Sequence, residues 1–399
     1  MSTRQINVAL IGQKFMGRAH SNAYLQSPRF FNLPIQPVLH TIIARDLPSL
    51  QEFAKRWGWA NATTDWQAAV NDPAIDLVDV TTPNNKHREF VIAALAAGKH
   101  VACEKPLAAT LSDAREMRDA AVRAKAKGVK TFVWYNYRRV PAVATAYQLA
   151  RQGVLGRIYQ ARAFYCQGWA SSPEIPLIWR FDKDQAGSGS LGDLGAHVID
   201  MVRFVTGDEI SEITGAISHT FIKERALPGE GGGAGIAAGA KASGKMGKVT
   251  VDDAVLAIGT MSEGSIFSLE STRFATGREN KNGIEINGEK GSLYFNFEDL
   301  NNLYFFDATV SRQVQGWTKI QASVPGTHPY QHAYWPTAHP GGYEHAFVNQ
   351  AADMLRVLGG EEPEVPLPDF EDAYKTQVVL EAIERAAAAR QPVALSEIG

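Results

Sequence analysis

The chain has 399 residues, 45% of them hydrophobic and 21% charged, with a formal net charge of -2 at pH 7. That length points to two domains with sizeable cores, and so small a charge excludes a general polyanion partner such as nucleic acid. The 2 cysteines, Cys103 and Cys166, fit neither a disulfide framework nor a CxxC metal site. The start of the chain lacks a signal-peptide core, and nowhere do eighteen apolar residues follow one another. The expectation is a soluble, cytoplasmic protein that needs no membrane.

Short β-like runs alternate with helical patterns through the first third. Ile6 to Ile11 is an apolar strand candidate, with a helix pattern from about Met16. Pro37 to Ala44 repeats the strand signal, and Pro48 opens the next helix, where proline is tolerated. Ile75 to Val80, the helix pattern Lys86 to Ala97, and His100 to Cys103 continue the alternation. Thr110 and Asp113 suit the start of a helix that stops at Gly128, and Thr131 to Trp134 supplies a further strand. This βαβα order predicts a doubly wound parallel sheet over residues 1–137.

From about Arg138 the rhythm changes to a helix, Pro141 to Gln152, and longer β-rich segments. These are Ile158 to Gln167, Ile210 to Lys223, Val249 to Thr260 and Ile266 to Phe274. They predict an α/β domain over 138–399 with a large, open, mainly antiparallel sheet, closed by helices at Tyr343 to Leu358 and Phe370 to Arg390. Between two of the strands, Gly229 to Gly247 is so rich in glycine that it reads as a mobile loop.

After the first strand comes Gly12-Gln13-Lys14-Phe15-Met16-Gly17. A full dinucleotide fingerprint would be G-x-G-x-x-G, and here the middle glycine is Lys14. The turn glycine and the helix-packing glycine remain, and the helix N-terminus still offers amides to phosphate. Lys14 either points aside or adds its own charge, with Phe15 and Met16 beside it. At the end of the second strand, either Arg45 caps a 2′-phosphate or Asp46 reaches the ribose, with NAD preferred over NADP. Thr82-Pro83-Asn84 and His87 lie beyond another strand end, where cofactors bind, although a Pro-Asn turn explains them equally. Glu104, Lys105 and Asn136 complete the cofactor-facing candidates.

Oxidising a secondary alcohol needs a base for the hydroxyl proton and a hydride acceptor beside the carbinol carbon. Asp193 and His197 stand four apart, on one face if helical, so the acid can orient the imidazole. Lys105 suits stabilisation of a developing alkoxide or relay of the proton. The plainer alternatives are a surface Lys-Pro turn, Asp193 as a helix cap, and His197 as a core histidine. A metal held by Asp193, His197 and Asp200 lacks a clear further ligand.

Several separated motifs then resemble one family. Gly12, Met16-Gly17 and His20, Thr82-Pro83 with His87, Glu104-Lys105-Pro106, and Gly192-Asp193-Leu194-Gly195 with His197 and Asp200 stand in the order seen in the glucose–fructose oxidoreductase/inositol dehydrogenase/MocA family. Asn136-Tyr137-Arg138-Arg139, Gly291-Ser292-Leu293 and Gly342-Tyr343-Glu344-His345 are similar to its sugar-acting branches. The stretch from Tyr334 to His345 is similar to levoglucosan dehydrogenase-like members. The resemblance implies an N-terminal Rossmann domain, a nicotinamide cofactor, a sugar or cyclitol substrate, and homodimers or homotetramers pairing through the C-terminal sheet. It also implies that Lys105, Asp193 and His197 are catalytic, with His197 as acid/base.

For the substrate, Tyr137, Arg138, Gln167, Trp169, Trp179, Arg180 and His339 combine aromatic platforms with donors, as a polyol requires. Tyr137 and Trp179 lead that set. Two other activities fit the same machinery: a redox-neutral glycosidase working through a transient 3-keto sugar, and a cofactor-sensing regulator that performs no chemistry.

Overall fold

The computed structural model describes residues 4–229 and 242–398. The chain forms two compact units, Met1–Arg139 with Gly342–Tyr374, and Val140–Gly341 with Lys375–Gly399. The sequence reading ran the second domain without a break from 138 to 399. The observed crossing falls beside that boundary, but a later segment returns to the first unit.

The first unit alternates β1 (Arg4–Ile11), α1 (Phe15–Phe30), β2 (Ile35–Ile43), α2 (Leu47–Trp57), β3 (Asn61–Thr63), α3 (Trp66–Asn71), β4 (Leu77–Val80), α4 (His87–Ala96), β5 (His100–Cys103), α5 (Leu111–Lys125) and β6 (Thr131–Val133). The strands form a parallel sheet in the order β3-β2-β1-β4-β5-β6, the arrangement of a Rossmann fold. β4 is buried along its whole length, which explains its apolar run: helices cover both faces of a parallel sheet. Asp79 is the exception, a carboxylate with no exposure in the middle of β4. The helix ends follow their sequence signals. The Thr110 hydroxyl accepts the Asp113 amide at the start of α5, and Gly58 closes α2 in the left-handed conformation at φ 78°.

In the second unit, α6 (Pro141–Arg151), β7 (Ile158–Cys166), α7 (Lys183–Ala186) and α8 (Ala196–Thr206) precede a run of strands. These are β8 (Ile210–His219), β9 (Glu224–Pro228), β10 (Ala242–Lys248), β11 (Ala254–Met261), β12 (Ile266–Thr272), β13 (Lys281–Gly288), β14 (Gly291–Asn296), β15 (Asn302–Asp307) and β16 (Trp317–Gln321). After α9 (Tyr343–Gly359) and α10 (Phe370–Ala389) comes the short β17 (Val393–Ala394). Among the described residues a nine-stranded sheet runs β16-β15-β14-β13-β7-β12-β11-β8-β17, antiparallel except where β12 lies parallel to β7. One part of the glycine-rich stretch departs from the loop reading: β10 pairs antiparallel with β9. Residues 230–241 of that stretch lie outside the described residues.

Helix α9 belongs to the first unit for a specific reason. The Arg139 Nε lies 3.5 Å from the Asp353 carboxylate, with neither side chain exposed, and the Arg139 guanidinium also donates to the carbonyls of Val365 and Pro366. Breaking such a buried pair strands a charge. Gln350 donates to the Val133 carbonyl, and the Val133 amide donates to Pro368, extending the edge of the parallel sheet. Among the described residues no helix is long and apolar enough to cross a membrane.

Candidate active site

Gly12 leaves β1 with φ +118°, and a Cβ there would lie 2.4 Å from Thr81 Oγ1 and 2.9 Å from the Thr81 carbonyl oxygen. A Cβ at Gly17 would lie 2.2 Å from the Gly12 carbonyl oxygen. Both positions therefore demand glycine. Lys14 occupies the N-cap of α1 at φ -81°, exposed, so a side chain fits where the fingerprint has its middle glycine. No side chain caps this helix start, which suits it to phosphate. Phe15 is 43% exposed, its ring stacked on Tyr343 with centroids 6.3 Å apart, and Met16 is half-buried. Arg45 and Asp46 are both exposed beyond the end of β2. Thr82 Oγ1 and Asn136 Nδ2 are buried polar atoms without a hydrogen bond, just past the carboxyl ends of β4 and β6. Pro83 and the buried Asn84 follow Thr82 into a short 3-10 turn. Orphaned polar atoms at strand ends, beside a glycine cradle, fit a bound dinucleotide.

Three sequence candidates have other tasks. His87 is fully buried, with Nε2 3.0 Å from the Thr82 carbonyl and Nδ1 3.1 Å from that of Leu107, so it fastens two loops together. Burial depresses its pKa against the partial support of those carbonyls. The Glu104 carboxylate faces inward: Oε1 lies 2.9 Å from His20 Nε2, and Oε2 accepts the Lys105 amide at 3.1 Å. Arg138 is buried and ion-paired with Asp372, which ties it to the segment that returns to the first unit. Lys105 itself is half-buried, joined to Pro106 by a cis peptide bond, and Tyr137 is buried.

Sequence reasoning missed the polar core under this turn. His20 Nδ1 lies 2.9 Å from Asp79 Oδ2, which also accepts the Tyr24 hydroxyl at 2.9 Å, and Trp134 Nε1 donates to Asp79 Oδ1 at 3.0 Å. The signal was present as a lone acid inside the apolar strand Leu77–Val80, since a buried carboxylate requires partners. Cys103, beside Glu104, is buried and its thiol is pushed well up by burial, as expected of an inert residue.

In the second unit, Asp193 lies on a π-helical turn, Leu191–Gly195, that runs directly into α8. It is therefore not a helix cap. Such turns recur at functional sites because the extra residue per turn re-aims side chains. His197 on α8 is 7% exposed, its ring centroid 6.0 Å from that of Tyr165. Arg180 Nε lies 3.5 Å from Asp193 Oδ2, and the guanidinium covers the Trp179 ring at 4.4 Å. Trp169 donates to Gln167, and both Gln167 and Tyr165 donate to Asn280 Oδ1, at 2.6 and 2.8 Å. Asn280 and Tyr165 thus join the expected residues without any motif having marked them. His339 is exposed, with Nδ1 3.0 Å from the Pro336 carbonyl of its own loop. Asp200 is buried on α8.

Asp252 anchors the π-turn. Its Oδ1 accepts the Gly189 amide at 2.6 Å, and Oδ2 accepts the Ser190 hydroxyl at 2.6 Å and the Leu191 amide at 2.9 Å.

A Rossmann sheet with this glycine cradle, in a chain whose second unit carries the Asp/His pair, defines a nicotinamide-dependent oxidoreductase. Residues 6–133 match the model of an oxidoreductase family with an NAD-binding Rossmann fold, and residues 143–294 match the GFO/IDH/MocA C-terminal domain. The chain is 40% identical over 400 residues to levoglucosan dehydrogenase of Pseudarthrobacter phenanthrenivorans, covering 99% of each. An oxidoreductase domain protein from Kribbella flavida superposes with a TM-score of 0.91 at 44% identity, over 98% of this chain and 99% of that one. A levoglucosan dehydrogenase in complex with NADH and levoglucosan superposes at 0.89 with 38% identity, again over 98% and 99%. The chain belongs to the Gfo/Idh/MocA oxidoreductase family and is an NAD(P)-dependent enzyme of that class.

Proposed function

We propose that this enzyme is a dehydrogenase that moves hydride from a secondary hydroxyl of an anhydrosugar, with levoglucosan the first candidate, to NAD. The observation that carries the reading is the 40% identity to a levoglucosan dehydrogenase across 99% of both chains. The second unit supports it chemically: Trp169 and Trp179 offer ring faces, while Gln167, Asn280, Arg180 and Asp193 offer a dense set of donors and acceptors.

When bound, the nicotinamide supplies the hydride acceptor. The chain's own residues supply the rest. His197 takes the hydroxyl proton, Asp193 orients the imidazole, and Lys105 stabilises the developing negative oxygen. Gly12, Gly17 and the start of α1 receive the phosphates, with Phe15, Met16, Thr82, Pro83, Asn84 and Asn136 around them. Arg45 and Asp46 divide NADP from NAD.

The open sheet supports self-association. On β11 and β12 alternate residues are buried, while the other face carries Leu256, Ile258 and Ile266, which with Ile217 of β8 are each more than half exposed. Register sets Leu256 opposite Ile217, so the residues form a patch rather than scattered points. A second copy of the chain covers this face in a homodimer or homotetramer. The buried, unbridged cysteines suit a reducing cytoplasm.

The test is a panel of sugars, anhydrosugars and cyclitols with NAD and NADP, followed by NADH absorbance and product analysis. Reduction of NAD in step with levoglucosan is expected. Lys105→Ala should then lower kcat about a hundredfold or more with NADH affinity little changed. Aglycone release from glycosides without net NADH would replace the reading with a redox-neutral glycosidase. NAD binding with no turnover of any sugar would replace it with a sensor.

A further inference from the structure

His20 stands between two buried carboxylates with no exposure of its own. Nδ1 meets Asp79 Oδ2 and Nε2 meets Glu104 Oε1, each at 2.9 Å. A neutral imidazole has one N–H and one lone pair, so its second nitrogen would set a lone pair against carboxylate charge. Against two ionised carboxylates, both contacts are satisfied only when both nitrogens donate.

The surroundings sustain that charge. Asp79 also accepts the Tyr24 hydroxyl on Oδ2 and the Trp134 indole N–H on Oδ1, so both of its oxygens face donors. Two aromatic rings pack on the imidazole, Trp134 at 3.9 Å and Phe347 at 5.8 Å, while the Cys103 thiol, its pKa raised by burial, feels the charges of the same two carboxylates. Burial by itself would lower the His20 pKa, but the Asp79 charge and the hydrogen bonds to Asp79 and Glu104 outweigh it and raise it to about 9. His87 is the internal contrast. Its nitrogens meet carbonyls, which carry only partial charge, and burial wins.

Glu104 passes the constraint onward. Its second oxygen accepts the Lys105 amide, while His87 holds the Leu107 carbonyl at the other end of the same turn. We propose that His20 is a positioning residue, a buried imidazolium that locks Glu104 and thereby fixes the backbone from which Lys105 presents its amine. The proposal rests on Lys105 acting in the reaction proposed above.

Two measurements test it. The first needs no turnover: NMR of uniformly 15N-labelled wild type should show a buried histidine with two protected ring N–H protons at pH 7, persisting to about pH 9. A single ring proton on His20, or loss of the second below pH 7, overturns the proposal even if the enzyme oxidises levoglucosan. The second is kinetic. His20→Gln and Glu104→Gln should each lower kcat about tenfold or more, with the KM for NAD within about twofold, since a misplaced group harms the reaction more than binding. Wild-type kcat should fall above pH 9, and that limb should be missing from His20→Gln. Unchanged kcat in folded variants, or an alkaline limb that survives in His20→Gln, overturns it. If no sugar reduces NAD, the functional reading fails, and the NMR measurement still decides the state of His20.

Discussion

Replacing Asp252 by asparagine should loosen the π-turn that carries Asp193 without emptying any core volume. The carboxylate accepts three donors, one on Oδ1 and two on Oδ2. An amide of the same shape has one accepting oxygen. If that oxygen keeps the Ser190 hydroxyl and the Leu191 amide, the new NH2 group faces the Gly189 N–H. If it turns over, the NH2 faces the other two donors, of which only the hydroxyl can reorient. At least one backbone amide is left without an acceptor, at a cost of about 1–3 kcal/mol, and the surviving bonds lose their charge assistance, about 1 kcal/mol more. The turn is thus weakened by about 2–4 kcal/mol, which by the 1.36 kcal/mol-per-decade relation accelerates amide exchange at Gly189 and Leu191 by about 30- to 1,000-fold. Hydrogen exchange on wild type and Asp252→Asn reads this locally, without assuming that a two-unit chain unfolds in one step. kcat should fall with it, because Asp193 rides on the same turn. Unaltered exchange at those amides would refute the view that Asp252 secures the turn.

Gly12→Ala combines a left-handed backbone with a Cβ 2.4 Å from Thr81 Oγ1, so it should destabilise the protein by about 2–5 kcal/mol and weaken NADH binding. Chemical denaturation and fluorescence titration check both, and full retention of NADH affinity would remove the glycine cradle from the cofactor site. Leu256→Glu with Ile258→Glu places charges on the open face of the sheet, and ultracentrifugation should show dissociation while NADH binding persists. An unchanged assembly would move the interface elsewhere. Arg45→Ala should raise the KM for NADP selectively, and a constant NADP/NAD ratio would show that Arg45 does not meet a 2′-phosphate. Because the His20 pKa is raised in the folded state, its contribution to stability is fully present below about pH 6.5 and fades as pH rises through about 9. The gap in urea midpoint between wild type and His20→Gln should therefore narrow across that window. A constant gap would mean that His20 stabilises by packing alone.

What could be read from the sequence was whatever depends on neighbours along the chain. Strand and helix periods gave the parallel βαβ order and the switch to an antiparallel sheet, because burial on one or two faces writes itself into local patterns. The glycines at 12 and 17 and the Thr110 cap were legible for the same reason, since backbone sterics and helix geometry act over a few residues.

Only the tertiary structure decided which polar groups meet across long separations. His20 and Glu104 are 84 positions apart, and Arg138 and Asp372 are 234 apart. No local period encodes such pairs. That is why the Asp372 partner of Arg138 and the two carbonyls around His87 could not be read from the sequence, and why Asp79 and Asn280 went unnoticed. The same holds for residues 342–374, whose helical pattern was plain but whose place in the first unit depends on the buried pairing of Asp353 with Arg139. A helix pattern marks which face must be buried; the partner that buries it is chosen by charge and shape elsewhere in the chain.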